Sequence, residues 1–163
     1  MNEYGFNTGL LHGTNEKYPQ GATQVPIYQS SAFRHDSAED LEENFDNKKM
    51  GFSYTRINNP TVESFEKRVT MLEDGIGSVA CASGMAALTN AFLNILQAGD
   101  EIVAACGLYG GTVELFDDLK PFGISVKYVK ENKPEAFEAE ITEKTRLVFA
   151  ETIGNPKLDV TDI

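Results

Sequence analysis

From Asn59 onward the apolar residues recur with a changing period, and each change marks an element. Asparagine caps helices, and proline suits the first helical position because its missing N–H would be unpaired there anyway. Val62, Phe65, Val69 and Leu72 then return every three or four residues, which predicts a helix with one apolar face, ended by Asp74-Gly75. Beyond it the pattern alternates. We expect a strand over 78–82, a helix over 85–96 with Met85, Leu88, Phe92 and Ile95 inward, and a strand over 101–105. A helix over 111–119, a strand over 125–129, a short helix over 134–140 and a strand over 146–151 follow. This alternation predicts an α/β fold, with a mainly parallel sheet covered by helices on both faces.

Before residue 60 the periodicity is weak, and Gly, Pro, Asn and Ser stand at turn-like spacing. The acidic stretch from Asp36 to Phe45 reads as a short helix. We therefore divide the chain into an extended arm over 1–60, suited to covering part of a neighbouring subunit, and an α/β domain over 61–163.

Charge narrows the partners. A formal net charge of -11 argues against nucleic acid or an anionic membrane, since both call for a basic face. No apolar run reaches the length of a membrane span, and Met1-Asn2-Glu3-Tyr4-Gly5-Phe6 lacks the basic and apolar regions of a signal peptide. Cys81 and Cys106 form no C-x-x-C pair and fall in strand-like runs, so we expect buried, reduced thiols in a cytoplasmic protein. His12 and His35 stand apart from each other and from both cysteines, which suggests no metal site.

Four fragments carry the candidate chemistry. Ser83-Gly84-Met85 opens the helix after the 78–82 run; its first amides lack internal partners and face the positive end of the helix dipole, so they suit a phosphate. A capped helix that merely contains glycine has the same sequence. Tyr54-Thr55-Arg56, if extended, puts a phenol and a guanidinium on one side, a good phosphate clamp; taken alone, an exposed loop leading into a helix is the better reading. Gly107-Leu108-Tyr109-Gly110-Gly111 frees the backbone around one ring able to stack on a flat heteroaromatic ligand, or is a flexible turn. Glu151-Thr152-Ile153-Gly154-Asn155-Pro156 places Asn155 after a buried strand, within reach of a ligand oxygen, or is an ordinary Asn-Pro turn.

In this order, with Val25-Pro26-Ile27-Tyr28-Gln29-Ser30 upstream, the fragments resemble the Cys/Met-metabolism family of pyridoxal-phosphate enzymes. The wording of the Tyr54 and Glu151 fragments is most similar to the O-acetylhomoserine sulfhydrylase branch. The resemblance implies a fold-type I transferase large domain, pyridoxal 5'-phosphate as cofactor, and a homo-oligomer acting on a small amino-acid substrate. It implies that Gly84 and Met85 bind the phosphate through backbone amides, and that Tyr54 and Arg56 reach the phosphate of a neighbouring subunit's cofactor. Tyr109 would stack on the pyridine ring and Asn155 would bond its hydroxyl oxygen, with Glu151 as structural support.

In the family the Schiff-base lysine and the Asp that partners the pyridine nitrogen follow the Asn-Pro segment. Ile163 comes before either, and no lysine in the chain is promoted to that role, so no catalytic residue is assigned here. The expectation is the amino-terminal portion of an enzyme of γ-replacement on O-acetylhomoserine, inactive by itself. The alternatives are a methionine or cystathionine γ-lyase, or a non-catalytic α/β module that binds a phosphorylated ligand or a protein.

Overall fold

The computed structural model describes residues 5–14 and 17–163. Residues 1–4, on which part of the amino-terminal leader reading rests, lie outside the described residues. The chain divides into two compact units, Met1–Ala80 and Cys81–Ile163.

In the first unit, helix α1 covers Phe6–His12, α2 covers Ala38–Phe45 and α3 covers Pro60–Leu72. Ser37 caps α2 by accepting from the Asp40 amide at 3.1 Å, and Glu39 and Asp40 place negative charge at its positive end. Asn59 caps α3 as the sequence predicts: its Oδ1 accepts from the Thr61 amide at 2.9 Å. Its Nδ2 donates to the Tyr28 carbonyl and to Thr55 Oγ1, both at 3.0 Å, so this buried side chain ties three segments together.

The apolar face expected of α3 packs only in part: Val69 and Leu72 are half-buried, whereas Val62 and Phe65 are exposed and Ser64 is the buried residue of the helix. The 78–82 run is likewise not a strand. Its polar atoms turn to α3 instead: the Ala80 amide donates to Glu66 Oε1 at 2.7 Å, and Ser78 Oγ donates to the Glu66 carbonyl at 2.6 Å. A strand needs a neighbouring strand to satisfy its amides, and here the Glu66 carboxylate takes the Ala80 amide instead. Cys81 and Cys106 are free thiols outside any strand and only half-buried, which corrects the expectation of buried, strand-borne cysteines.

The second unit holds α4 (Gly84–Ile95), β1 (Glu101–Ala104), α5 (Gly110–Leu119), β2 (Ser125–Tyr128), α6 (Pro134–Glu140) and β3 (Thr145–Phe149). The strands form a parallel sheet in the order β2-β1-β3. The chain steps from β1 to β2 in one direction and returns across β1 to reach β3. Right-handed crossovers then place α5 on one face and α6 on the other. Side chains agree. Tyr128 and Phe149 share the row of Ala104, and Phe116 of α5 packs on both rings at 6.3 and 5.7 Å. Phe92 of α4 adds a third contact on Phe149 at 5.4 Å.

Every residue of β1 is buried, including Glu101 at its start. Burial alone pushes that carboxyl up, but hydrogen bonds from Thr142 (2.9 Å), Lys127 (3.2 Å) and Thr145 (3.1 Å) more than offset it and hold it below the usual carboxylate range. In α4 the sequence expectation is right for Phe92 and Leu88 but not for Ile95, which is exposed while Leu96 is buried. The helix ends at Ile95, so Leu96 is extended and its side chain no longer follows the helical period. Among the described residues no helix is long and apolar enough to cross a membrane.

Candidate cofactor site

Ligands of parallel α/β sheets bind beyond the carboxyl ends of the strands, and the loops at that edge carry the candidate residues of the second unit. They are stitched to one another by polar contacts. Glu151, just after β3, accepts the Tyr109 amide on both carboxylate oxygens at 3.0 and 3.1 Å, and Thr112 Oγ1 lies 3.3 Å from it. A carboxylate at the first turn of α5 meets the positive end of that helix. The Asn155 amide donates to the Gly107 carbonyl at 3.1 Å. A Cβ on Gly154 would stand 2.5 Å from that same carbonyl, so glycine is required where the loops after β1 and β3 touch. Asn132, after β2, completes the cluster: its Oδ1 accepts from the Cys106 amide at 2.9 Å and its Nδ2 donates to the Cys106 carbonyl at 3.1 Å.

Tyr109 is the N-cap residue of α5 and is 48% exposed. Its ring lies against the first turn of the helix, where a Cβ on Gly111 would come within 2.6 Å of Tyr109 Cε1. Gly111 thus makes room for one particular ring placement, while a Cβ on Gly110 would meet nothing within 4 Å. The Asn155 side chain is exposed and makes no hydrogen bond to protein among the described residues.

Helix α4 ends at the turn that leads into β1, and Phe92 sits over the last residue of β3. Its opposite end therefore points toward the loop edge. There Ser83 Oγ accepts from the Ala86 amide at 3.1 Å. The amides of Gly84 and Met85 have no protein acceptor among the described residues, and space around the Gly84 α-carbon is open to 4 Å. Two uncommitted donors on the positive end of a twelve-residue helix are suited to an anion.

In the first unit Tyr54 and Arg56 do come together, though not by the route expected. Residues 54–57 form a turn, with the Ile57 amide donating to the Tyr54 carbonyl at 2.8 Å, so the segment is not extended. The Arg56 guanidinium lies over the Tyr54 ring, 5.5 Å from its centre.

The sequence profile of the Cys/Met metabolism PLP-dependent enzymes matches residues 7–163. The chain belongs to that family. It is 44% identical over 164 residues to an O-acetyl-L-homoserine sulfhydrylase of Corynebacterium glutamicum, with 99% of this chain and 38% of the relative aligned. An L-methionine gamma-lyase of Fusobacterium nucleatum is 36% identical over 99% of this chain and 41% of its own length. A Campylobacter jejuni structure carrying N'-pyridoxyl-lysine-5'-monophosphate superposes with a TM-score of 0.87 at 30% identity, covering 98% of this chain and 40% of the other. The chain thus spans about two-fifths of the length of the proteins it matches.

The family's cofactor is pyridoxal 5'-phosphate. The residues present suit its chemistry: free helix-terminal amides for the phosphate, a half-exposed ring for the pyridine and an unbonded amide for the ring hydroxyl. The sequence pointed to Glu151; it gave no sign of Asn132, and Thr112 stood beside the glycines without a role, because its contact lies 39 residues away in the chain.

Proposed function

We propose that the chain supplies the phosphate-binding and ring-stacking side of a PLP-dependent transferase site for γ-replacement on O-acetylhomoserine by a sulfur nucleophile. The observation that carries this reading is the open α4 terminus, with the unpaired Gly84 and Met85 amides, in a chain of this family. The O-acetylhomoserine sulfhydrylase relatives supply the substrate class, and a place in methionine biosynthesis follows from it.

When bound, the cofactor supplies an electron-withdrawing ring that labilises bonds of the amino-acid substrate. The chain's own groups bind and orient. Gly84 and Met85 donate their amides to the phosphate, and Tyr109 covers one face of the ring and sheds water from it. Asn155 donates its amide to the ring's hydroxyl oxygen. Glu151 fixes the Tyr109 backbone by holding its N–H, so the ring rests on an anchored residue rather than a free loop. Tyr54 and Arg56 serve the phosphate of a neighbouring subunit in a cytoplasmic homo-oligomer, with residues 1–60 as the arm that delivers them.

Within this reading no lysine of residues 1–163 carries the cofactor covalently, and the 163-residue polypeptide alone does not turn over substrate. Mixing it with pyridoxal phosphate and reducing with borohydride is expected to give no specific adduct, only scattered labelling of exposed lysines; a stoichiometric adduct on one lysine refutes this. An enzyme containing this segment, given O-acetylhomoserine and sulfide, is expected to release homocysteine and acetate.

The second reading, a γ-lyase, has the methionine gamma-lyase relatives behind it. Release of methanethiol, a 2-oxo acid and ammonia from methionine and water, with no homocysteine from the sulfide reaction, selects it over the transferase.

A further inference from the structure

The turn that presents Tyr54 and Arg56 is joined to α2 by a relay of polar side chains. His35 is largely buried, with Nδ1 3.2 Å from Asp40 Oδ2 and Nε2 3.4 Å from Ser53 Oγ. Ser53, next to Tyr54, donates its hydroxyl proton to Asn44 Oδ1. The orientation of the Asn44 amide is set independently, because its Nδ2 donates to the Lys49 carbonyl at 3.2 Å. Lys49 Nζ closes the circuit on Asp40 Oδ1, and this contact holds the Asp40 carboxyl below its usual range.

Counting protons decides the state of the ring. A hydroxyl has one proton, and that of Ser53 is committed to Asn44. If His35 is neutral with its proton on Nδ1 toward Asp40, Nε2 is a lone pair facing an oxygen that has no proton to give; with the proton on Nε2 instead, the Nδ1 lone pair faces the Asp40 carboxylate. With N–H groups on both nitrogens, every contact in the relay runs from donor to acceptor. We propose that His35, protonated on both ring nitrogens, is a positioning residue for the Tyr54–Arg56 pair, tying Asp40 of α2 to Ser53 and so holding the turn that carries the pair.

The charged groups that face the ring are Asp40 of α2, Arg56, which lines the same groove as His35 and Tyr54, and Lys49, which contacts Asp40. Arg34 and Asp36 flank His35 in the chain. The value of the pair rests on the phosphate-clamp reading above; the relay itself does not.

The test is amide exchange by NMR, expressed as protection factors so that intrinsic pH effects cancel. The reporters are the Phe33 and Thr55 amides, which bond to the Ser53 and Ser31 carbonyls at 3.0 and 2.9 Å. The control is the Ala105 amide, which bonds to the Phe149 carbonyl in the other unit. The chain has two histidines, so His12→Gln leaves one imidazole to follow. As the His35 signal titrates to neutral, protection of both reporters is expected to fall about tenfold while Ala105 is unmoved. His35→Gln, whose Nε2 donates to Ser53 at any pH, keeps protection within about threefold of the acid value throughout. His35→Asn, which reaches Asp40 alone, and His35→Ala are low at every pH.

Ser53→Ala provides a second route and is expected to abolish the pH step. Wild-type protection in His35→Ala, a His35→Gln variant as low as His35→Ala, or a pH step surviving in Ser53→Ala each overturns the proposal. A working relay with no change in the Arg56 signal on adding pyridoxal phosphate overturns the clamp reading alone.

Discussion

Removing the Glu151 carboxylate should cost more than one hydrogen bond. Glu151→Ala deletes the acceptor of the Tyr109 amide, a charge-assisted bond on a helix terminus, and it strands the Thr112 hydroxyl. Hydrogen bonds to a charged group contribute about 1.5–3 kcal/mol, and a buried polar group left unpaired costs about 1–3 kcal/mol. Tyr109 is half-exposed and water can reach its amide, but Thr112 is 1% exposed and has no such recourse. We expect a loss of about 3 kcal/mol for Glu151→Ala and about 1 kcal/mol for Thr112→Val, which removes the hydroxyl at nearly constant volume. The two share one contact, so the double variant should lose about 3 kcal/mol rather than 4, a coupling of about 1 kcal/mol. Native-state hydrogen exchange at β1 and α5 amides is the suitable assay, since two compact units make a single denaturation midpoint ambiguous. Effects additive to within about 0.4 kcal/mol would show that Thr112 does not depend on Glu151, and the account of this loop junction would fall.

Three other outcomes follow. Gly111→Ala should stabilise α5 by about 0.5–1 kcal/mol, as alanine does in a helix, yet displace the Tyr109 ring that occupies the space of its Cβ; the ring resonances report the shift, and weaker pyridoxal phosphate binding should accompany it. Because the Glu101 pKa is depressed on folding, its contribution to stability is complete above the unfolded carboxylate value and lost as pH falls through the folded one. Urea unfolding of the second unit should therefore weaken below about pH 4 in the wild type and less steeply in Glu101→Gln. Asn59→Asp keeps an acceptor for the Thr61 amide but loses both Nδ2 donations and sets a charge against the Tyr28 carbonyl. It should cost about 2 kcal/mol, visible as lost exchange protection along α3 although aspartate is a good cap in isolation.

The elements of the second unit were legible because their apolar periods are clean and their ends carry Pro or Gly: α6 begins at Pro134 and ends at Glu140 as expected, and β1 is the apolar run starting at Glu101. The misreadings share a cause. The 78–82 run has the composition of a strand, but pairing depends on a neighbour that composition does not reveal, and Glu66 takes the Ala80 amide instead. Of the apolar stripe on α3, Val69 and Leu72 are half-buried but Val62 and Phe65 are exposed, and the fully buried position is Ser64, near the end that Asn59 ties to the Tyr28 segment. Tyr54 and Arg56 could be named as a pair from residue chemistry alone; the turn that joins them could not, since it depends on the Tyr54 carbonyl meeting the Ile57 and Asn58 amides. At the loop edge the glycines at 107, 111 and 154 announced close approach, while the partners making it close became visible only in three dimensions.

The stitching of Tyr109 to Glu151 also carries a temporal consequence. The acceptor lies 42 residues downstream of the amide it satisfies. At translation rates of roughly 5–20 residues per second, the start of α5 is made about 2–8 seconds before the carboxylate that settles it. Until then that helix terminus lacks its acceptor, so slow codons between Gly110 and Glu151 should lengthen the window.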